Sequence, residues 1–191
     1  VLDDADPEAA AEGAVRSSFA NAGQLCITTE RLFVHEDVFE RFRDAFVAAV
    51  DDLRLGFDYD WRAEMGPLLS AAQFEKTREH VDDARDRGAT VLTGGEARPD
   101  LGPYFYEPTV LADVPTDATA HDTETFGPVV ALYPVSDTDE AVERANDTAY
   151  GLHGAVWTGD EERGRAVARR LETGTVSVNE GYAAAWASVY R

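Results

Sequence analysis

Cysteine is almost missing from this chain: Cys26 is the only one in 191 residues. One thiol cannot close an internal disulfide, and it cannot build a cysteine-rich zinc site. Lysine is as scarce. Lys76 stands alone, and arginine supplies the rest of the 17 basic residues. Against them stand 37 acidic residues, for a formal net charge of −20. A field of that sign repels nucleic acid and anionic membrane surfaces, so neither is an expected partner. No apolar run approaches the roughly 20 residues that span a bilayer. The opening VLDDADPEAAAEG lacks the charged-then-apolar layout of a signal peptide. These absences predict a cytoplasmic protein. The histidines, His35, His80, His121 and His153, are dispersed. No HExxH, EF-hand or phosphate-loop pattern occurs, so no metal site is expected. No GxGxxG follows a strand-like run, so the dinucleotide-binding fingerprint is missing too.

What is present is the composition of a globular protein, with 44% hydrophobic residues. The acids are scattered along helix-like segments and do not gather in a tail. Pairs such as Asp51-Asp52, Asp82-Asp83 and Glu161-Glu162 read as solvated helix faces. The charge balance suits a hydrated surface in concentrated salt, where screening relieves self-repulsion. A halophilic cytoplasm, and a fold more stable at molar than at low salt, are the corresponding expectations. The chain begins at Val1 and stops at Tyr190-Arg191 just after a strand-like segment. The reading is of one domain, residues 1–191, cut at both ends from a longer protein.

Local signals alternate between helix and strand. Asp6-Pro7-Glu8 starts a helix: a capping carboxylate, proline at the first position, an acid in the first turn. ERLFVH at 30–35 reads as a strand. From Glu36 the residues Val38, Phe39, Phe42, Ala45, Phe46, Ala49, Val50 and Leu53 keep helical spacing. Ser70 caps a second long helix running to about Arg87 and closed by Gly88. Then come a short strand, ATVLT, and a Gly94-Gly95 turn. The proline-rich stretch 96–128 carries a strand-like PTVLADV. Strands are expected at 129–135, 154–158 and 174–179, and helices at 137–146, with Asp137 as cap, and 160–172. This alternation predicts an α/β fold: a parallel, doubly wound sheet with helices on both faces.

Two residues stand out chemically. Cys26 lies in a polar, glycine-containing bend between a helix and a strand, where a site on the edge of an α/β sheet belongs. A thiol there becomes a nucleophile if it is accessible and its pKa is lowered. A lone cysteine is also commonly a small buried hydrophobe, and both readings stand at this point. Glu124, in DTETFGPVV, is a carboxylate just before an apolar Phe-Gly-Pro turn. Its bland reading is an exposed loop acid.

Longer motifs add a resemblance. NAGQLC followed by a strand resembles the active-site segment of the aldehyde dehydrogenase superfamily, whose nucleophilic cysteine lies two residues after Gly-Gln. PTVL at 108–111, ETFGPV at 124–129, AND with YGL at 145–152, and GTVSVN at 174–179 follow in that family's order. VLDDAD is similar to the segment after the family's general-base glutamate. GQLCI, GATVLTGG, YFYEPTVL and VNEGYAA look closest to the succinate-semialdehyde dehydrogenases. The resemblance implies the catalytic domain of an NAD- or NADP-dependent oxidoreductase acting on a small aldehyde. It implies that Cys26 is the nucleophile, forming a thiohemiacetal and then a thioester, with its own N–H helping to bind the oxyanion. It implies that Glu124 holds the nicotinamide ribose, that Phe126 packs beside the nicotinamide, and that Gly127 and Pro128 shape the turn. Asn179 is expected to brace the loop around the cysteine. The general base, the oxyanion-hole asparagine and the cofactor-binding domain would all lie before Val1, so the isolated chain is expected to be nearly inactive. The family usually assembles, so the intact protein is expected to be a homo-oligomer. Two departures are visible. Some succinate-semialdehyde dehydrogenases carry arginine six residues before the cysteine, where this chain has Ala20; Arg16 lies nearby in sequence. The terminal SVYR replaces the glycine-rich continuation of the family. The alternatives are a coenzyme A-acylating relative and an inactive remnant of the fold.

Overall fold

The computed structural model describes residues 1–57 and 62–181. The departing SVYR and the last three residues of the VNEGYAA stretch, 182–184, therefore lie outside the described residues. Helix α1 spans Pro7–Phe19, and the Asp6 carboxylate accepts the N–H groups of Glu8 and Ala9. A 3-10 turn, Ala20–Gly23, follows it. Strand β1 is Arg31–His35 and runs directly into α2, Glu36–Asp51, whose first turn is capped by His35 Nδ1 accepting from Asp37 N–H at 3.2 Å. The 3.6-residue period of α2 sends Val38, Phe42, Phe46 and Val50 inward. Helix α3, Ala71–Asp86, is capped by Ser70 Oγ on Gln73 N–H and ends before Gly88, which holds φ +104°. Strands β2 (Thr90–Thr93), β3 (Thr109–Ala112) and β4 (Val129–Val135) come next, with a one-turn helix α4 (Thr119–Asp122) inside the proline-rich stretch. Helix α5 (Thr138–Asn146) has the expected Asp137 cap. The chain continues through β5 (His153–Val156), α6 (Glu161–Ala168) and β6 (Thr175–Val178).

The main sheet has the order β1-β4-β3-β2. β4 is its centre, parallel to β1 and β3. Its near-continuous apolar run VVALYPV is what a strand covered on both faces requires. The expected parallel sheet is thus present, with one refinement: β2 is antiparallel to β3 and caps the edge. A second refinement is that β5 and β6 pair in parallel as a sheet of their own. Val1 and Leu2 bridge the edge strands of the two sheets through backbone hydrogen bonds. Val1 donates to Phe33 C=O at 2.8 Å and accepts from His35 N–H at 3.0 Å, while Leu2 donates to Trp157 C=O at 2.9 Å.

Helices cover both faces of the main sheet. Arg31 and Phe33 point to α5: the Arg31 guanidinium donates to the Arg144 and Ala145 carbonyls, and Arg144 lies over the Phe33 ring. By strand alternation Leu32 and Val34 face the other side, where α2 packs. There the rings of Phe19, Phe46 and Phe42 stack at 6.2 and 5.5 Å in the main core. A smaller core of Leu2, Val142, Val156 and Val167 lies under β5 and α6. No described helix is long and apolar enough to cross a membrane.

Candidate active site

The 3-10 turn sets up the cysteine. Asn21, Ala22 and Gly23 all have positive φ, at 54°, 55° and 71°. Two consecutive non-glycine residues in the left-handed region are strained, and such strain persists only where surroundings over-determine it. Here Gln24 does much of that. Its Oε1 accepts Leu69 N–H at 2.8 Å and its Nε2 donates to Asn21 C=O at 3.0 Å. The chain then makes a β-turn closed by Thr28 N–H on Leu25 C=O at 2.9 Å, with Cys26 at its first corner. Among the described residues nothing accepts the Cys26 N–H. The side chain is exposed, so the buried-hydrophobe reading of Cys26 fails.

The second loop, residues 123–128, is held at nearly every peptide group. Tyr150 Oη accepts Glu124 N–H at 3.1 Å. The two oxygens of Glu30 accept the N–H groups of Thr125 and Phe126, both at 2.8 Å. Gln73 Nε2 donates to the carbonyls of the same two residues at 2.8 and 2.9 Å. Thr125 Oγ1 meets His80 Nδ1 at 3.0 Å. Phe126 itself has φ +55°. The Glu124 carboxylate takes no hydrogen bond from a described residue and stays available.

Glycine lets the two loops touch. A Cβ on Gly23 would collide with the Gly127 carbonyl, and φ +71° already excludes an unstrained side chain there. A Cβ on Gly127 would run into Thr77 of α3. Cys26, Glu30 and Glu124 consequently line one cavity of about 390 Å³. Phe126 is half-buried beside it but does not line it. Burial pushes the Glu30 carboxyl above the ordinary carboxylate value, while the N–H bonds from Thr125 and Phe126 oppose the shift.

Glu30 is the residue that sequence reading passed over, as the polar start of a strand. A signal was there. In a chain with 37 acids it is the only one between residues 13 and 35. Asn179 lies elsewhere than expected. Its Oδ1 accepts Thr158 N–H at 2.9 Å, so it braces the end of β5 and not the cysteine loop. The asparagine of the AND motif is likewise structural: Asn146 holds Arg170 C=O and Glu172 N–H, both at 2.9 Å. Arg16 is exposed on α1 and outside the cavity, so it does not replace the missing arginine. Among the described residues no cluster of histidine, cysteine or carboxylates could hold a metal.

This geometry agrees with the comparisons to known proteins. Residues 1–190 match the aldehyde dehydrogenase family, and the chain belongs to that family. A putative succinate-semialdehyde dehydrogenase [NADP(+)] 2 of Mycobacterium ulcerans is 52% identical over 179 residues, 94% of this chain and 35% of that protein. A succinate semialdehyde dehydrogenase of Acinetobacter baylyi is 38% identical, over 95% of this chain and 37% of its own length. The crystal structure of succinate-semialdehyde dehydrogenase from Burkholderia pseudomallei superposes with a TM-score of 0.90 at 42% identity, covering 95% of this chain and 38% of that one. The chain therefore spans little more than a third of the relatives it matches.

Proposed function

We propose that this chain is the thiol-bearing catalytic part of an NAD(P)-dependent aldehyde dehydrogenase, with succinate semialdehyde as the substrate its relatives' names suggest. The observation that carries the reading is the pairing of an exposed thiol, on a turn with a free N–H, with an unengaged carboxylate on the same cavity. As thiolate, Cys26 adds to the aldehyde carbon and makes a thiohemiacetal. The Cys26 N–H stands ready at the turn's corner to stabilise the oxyanion that develops. A bound nicotinamide cofactor would accept the hydride. The free Glu124 carboxylate fits the ribose hydroxyls of such a group, and the fixed backbone at Phe126 would set the ring beside it. Loss of hydride leaves a thioester on Cys26. Water attacks its carbonyl carbon, the C–S bond breaks, and the acid and the thiol are released.

Acylation of Cys26 needs neither cofactor nor base from elsewhere, so this chain can be tested alone. With p-nitrophenyl acetate it should release one nitrophenolate per chain in a burst and gain one acetyl group at Cys26 by mass spectrometry. Cys26→Ala should abolish both. Acylation no faster than that of free glutathione would refute a preorganised nucleophile.

A further inference from the structure

We propose that His80 is a positioning residue for the loop that carries Glu124 and Phe126: as a neutral imidazole it holds Thr125, and its protonation releases the loop. His80 belongs to one stripe of α3. Gln73, Thr77 and His80 follow at the three- and four-residue steps that bring side chains to one helix face. All three meet residues 125–127. Gln73 donates to the carbonyls of Thr125 and Phe126, Thr77 fills the space that a Cβ on Gly127 would need, and His80 Nδ1 lies 3.0 Å from Thr125 Oγ1. Beside this stripe Val81 and Ala84 are apolar and fully buried. A leucine at position 80 would continue that apolar face with no polar atom to satisfy. The chain instead buries an imidazole, 7% exposed, against a threonine that is 2% exposed. Among the described residues His80 is the one hydrogen-bond partner of the Thr125 hydroxyl.

The protonation state decides whether that bond holds. With the ring proton on Nε2, Nδ1 accepts the Thr125 O–H. A second proton turns Nδ1 into a donor, and the threonine proton must leave the one acceptor the structure gives it. The added charge also meets a poor environment. Burial, and next the Lys76 ammonium one turn away, lower the imidazole below its ordinary 6.5, while Asp83 and Glu79 oppose them. Asp83 is already engaged by Arg87 at 2.7 Å and by Thr119 N–H at 2.8 Å. From the start of β1 comes Glu30, whose two oxygens are spent on the Thr125 and Phe126 N–H groups, and from the loop itself comes Glu124. Helix α4, which packs on α3, carries His121, 3.3 Å from Tyr133 Oη, and Asp122, bonded to Thr123 Oγ1 at 3.2 Å. An open loop returns the His80 ring to its ordinary value. Closure is therefore fully favoured above 6.5 and weakens as pH falls below it.

The inference rests on the proposed function only for what the loop is held to bind. Its test uses neither a cofactor nor Cys26, so either can fail without the other. Amide exchange at Thr125 and Phe126 would be followed by NMR at about pH 7.5 and about pH 5.5, corrected for intrinsic rates and referred to Val130 in β4. His80→Asn keeps an acceptor near the place of Nδ1 and does not titrate; His80→Leu removes the acceptor. At about pH 7.5 the wild-type chain and His80→Asn should protect both amides alike, while His80→Leu should speed their exchange about tenfold. At about pH 5.5 the wild-type chain should lose protection about threefold or more relative to His80→Asn. Glu30 titrates in every one of these chains, so its effect cancels in the comparison. Should His80→Leu not fold, Thr125→Val removes the same hydrogen bond from its other side and should speed exchange at Phe126 by a similar factor. The proposal falls if the apolar variant leaves exchange unchanged, or if the wild-type chain and His80→Asn keep the same ratio of protection at both pH values.

Discussion

The two loops of the candidate site are built on opposite principles. The cysteine turn, 25–28, leaves its corner N–H free and its thiol exposed. The turn at 123–128 has the N–H groups of residues 124, 125 and 126 engaged, and the carbonyls of 125 and 126 as well. A nucleophile must present unsatisfied groups to an incoming substrate. A carboxylate that is to meet a ligand must itself be free, while the backbone carrying it is held still. Under the proposed function the chain separates the two needs: among the described residues the Glu124 carboxylate has no hydrogen-bond partner, and Glu30 and Gln73 do the holding. The strain of Asn21 and Ala22 lies next to the open loop, and that of Phe126 in the clamped one.

Substitutions can break this contrast. The largest effect is expected at Gly23→Ala, which forces a side chain into the left-handed region and into the Gly127 carbonyl. Strain of about 1–2 kcal/mol and overpacking of about 1–3 kcal/mol together predict a loss of about 2–5 kcal/mol. Denaturant unfolding would measure it, and an unchanged midpoint would mean that the loops do not touch. Next is Glu30→Ala, which strips the Thr125 and Phe126 N–H groups of their acceptor. Each buried orphan costs about 1–3 kcal/mol, offset in part because a buried carboxylate is no longer desolvated. A net loss of about 2–3 kcal/mol is expected, with faster amide exchange at residues 125 and 126 and no change in the rate of Cys26 acylation. A slower acylation would show that the loops are not separable. The same residue predicts a pH dependence. Its folded carboxyl is raised above the ordinary 4.5, so its contribution is present below that value and is lost as pH rises through the folded pKa. The melting temperature of the wild-type chain should therefore fall, relative to Glu30→Gln, as pH increases from 4.5; the opposite slope would contradict it. The smallest effect is expected at Cys26→Ser. An exposed turn residue with no buried contacts should change stability by less than about 0.5 kcal/mol, while acylation as a thioester disappears.

The helix boundaries show how much was legible locally. Asp6, Ser70 and Asp137 each cap the helix that follows, as their sequence contexts predict, and the inward face of α2 follows from its spacing. The later elements were read too long: β5 ends at Val156 and α6 at Ala168. Residues 169–172 carry helix-compatible side chains, yet Asn146 takes Arg170 C=O and Glu172 N–H for a turn. That contact comes from 24 to 26 residues away and no local window contains it.

The sequence by itself determined the family and the α/β alternation, and singled out Cys26 and Glu124 as candidates, because caps, periodicity and motifs act within a few residues. Tertiary structure decided what those residues could do. It set Glu30 beneath a turn 95 residues away, put Gly23 against Gly127, and turned β2 antiparallel. Such outcomes depend on which backbone groups meet across the fold, and a chain read in order carries no local mark of its distant partners.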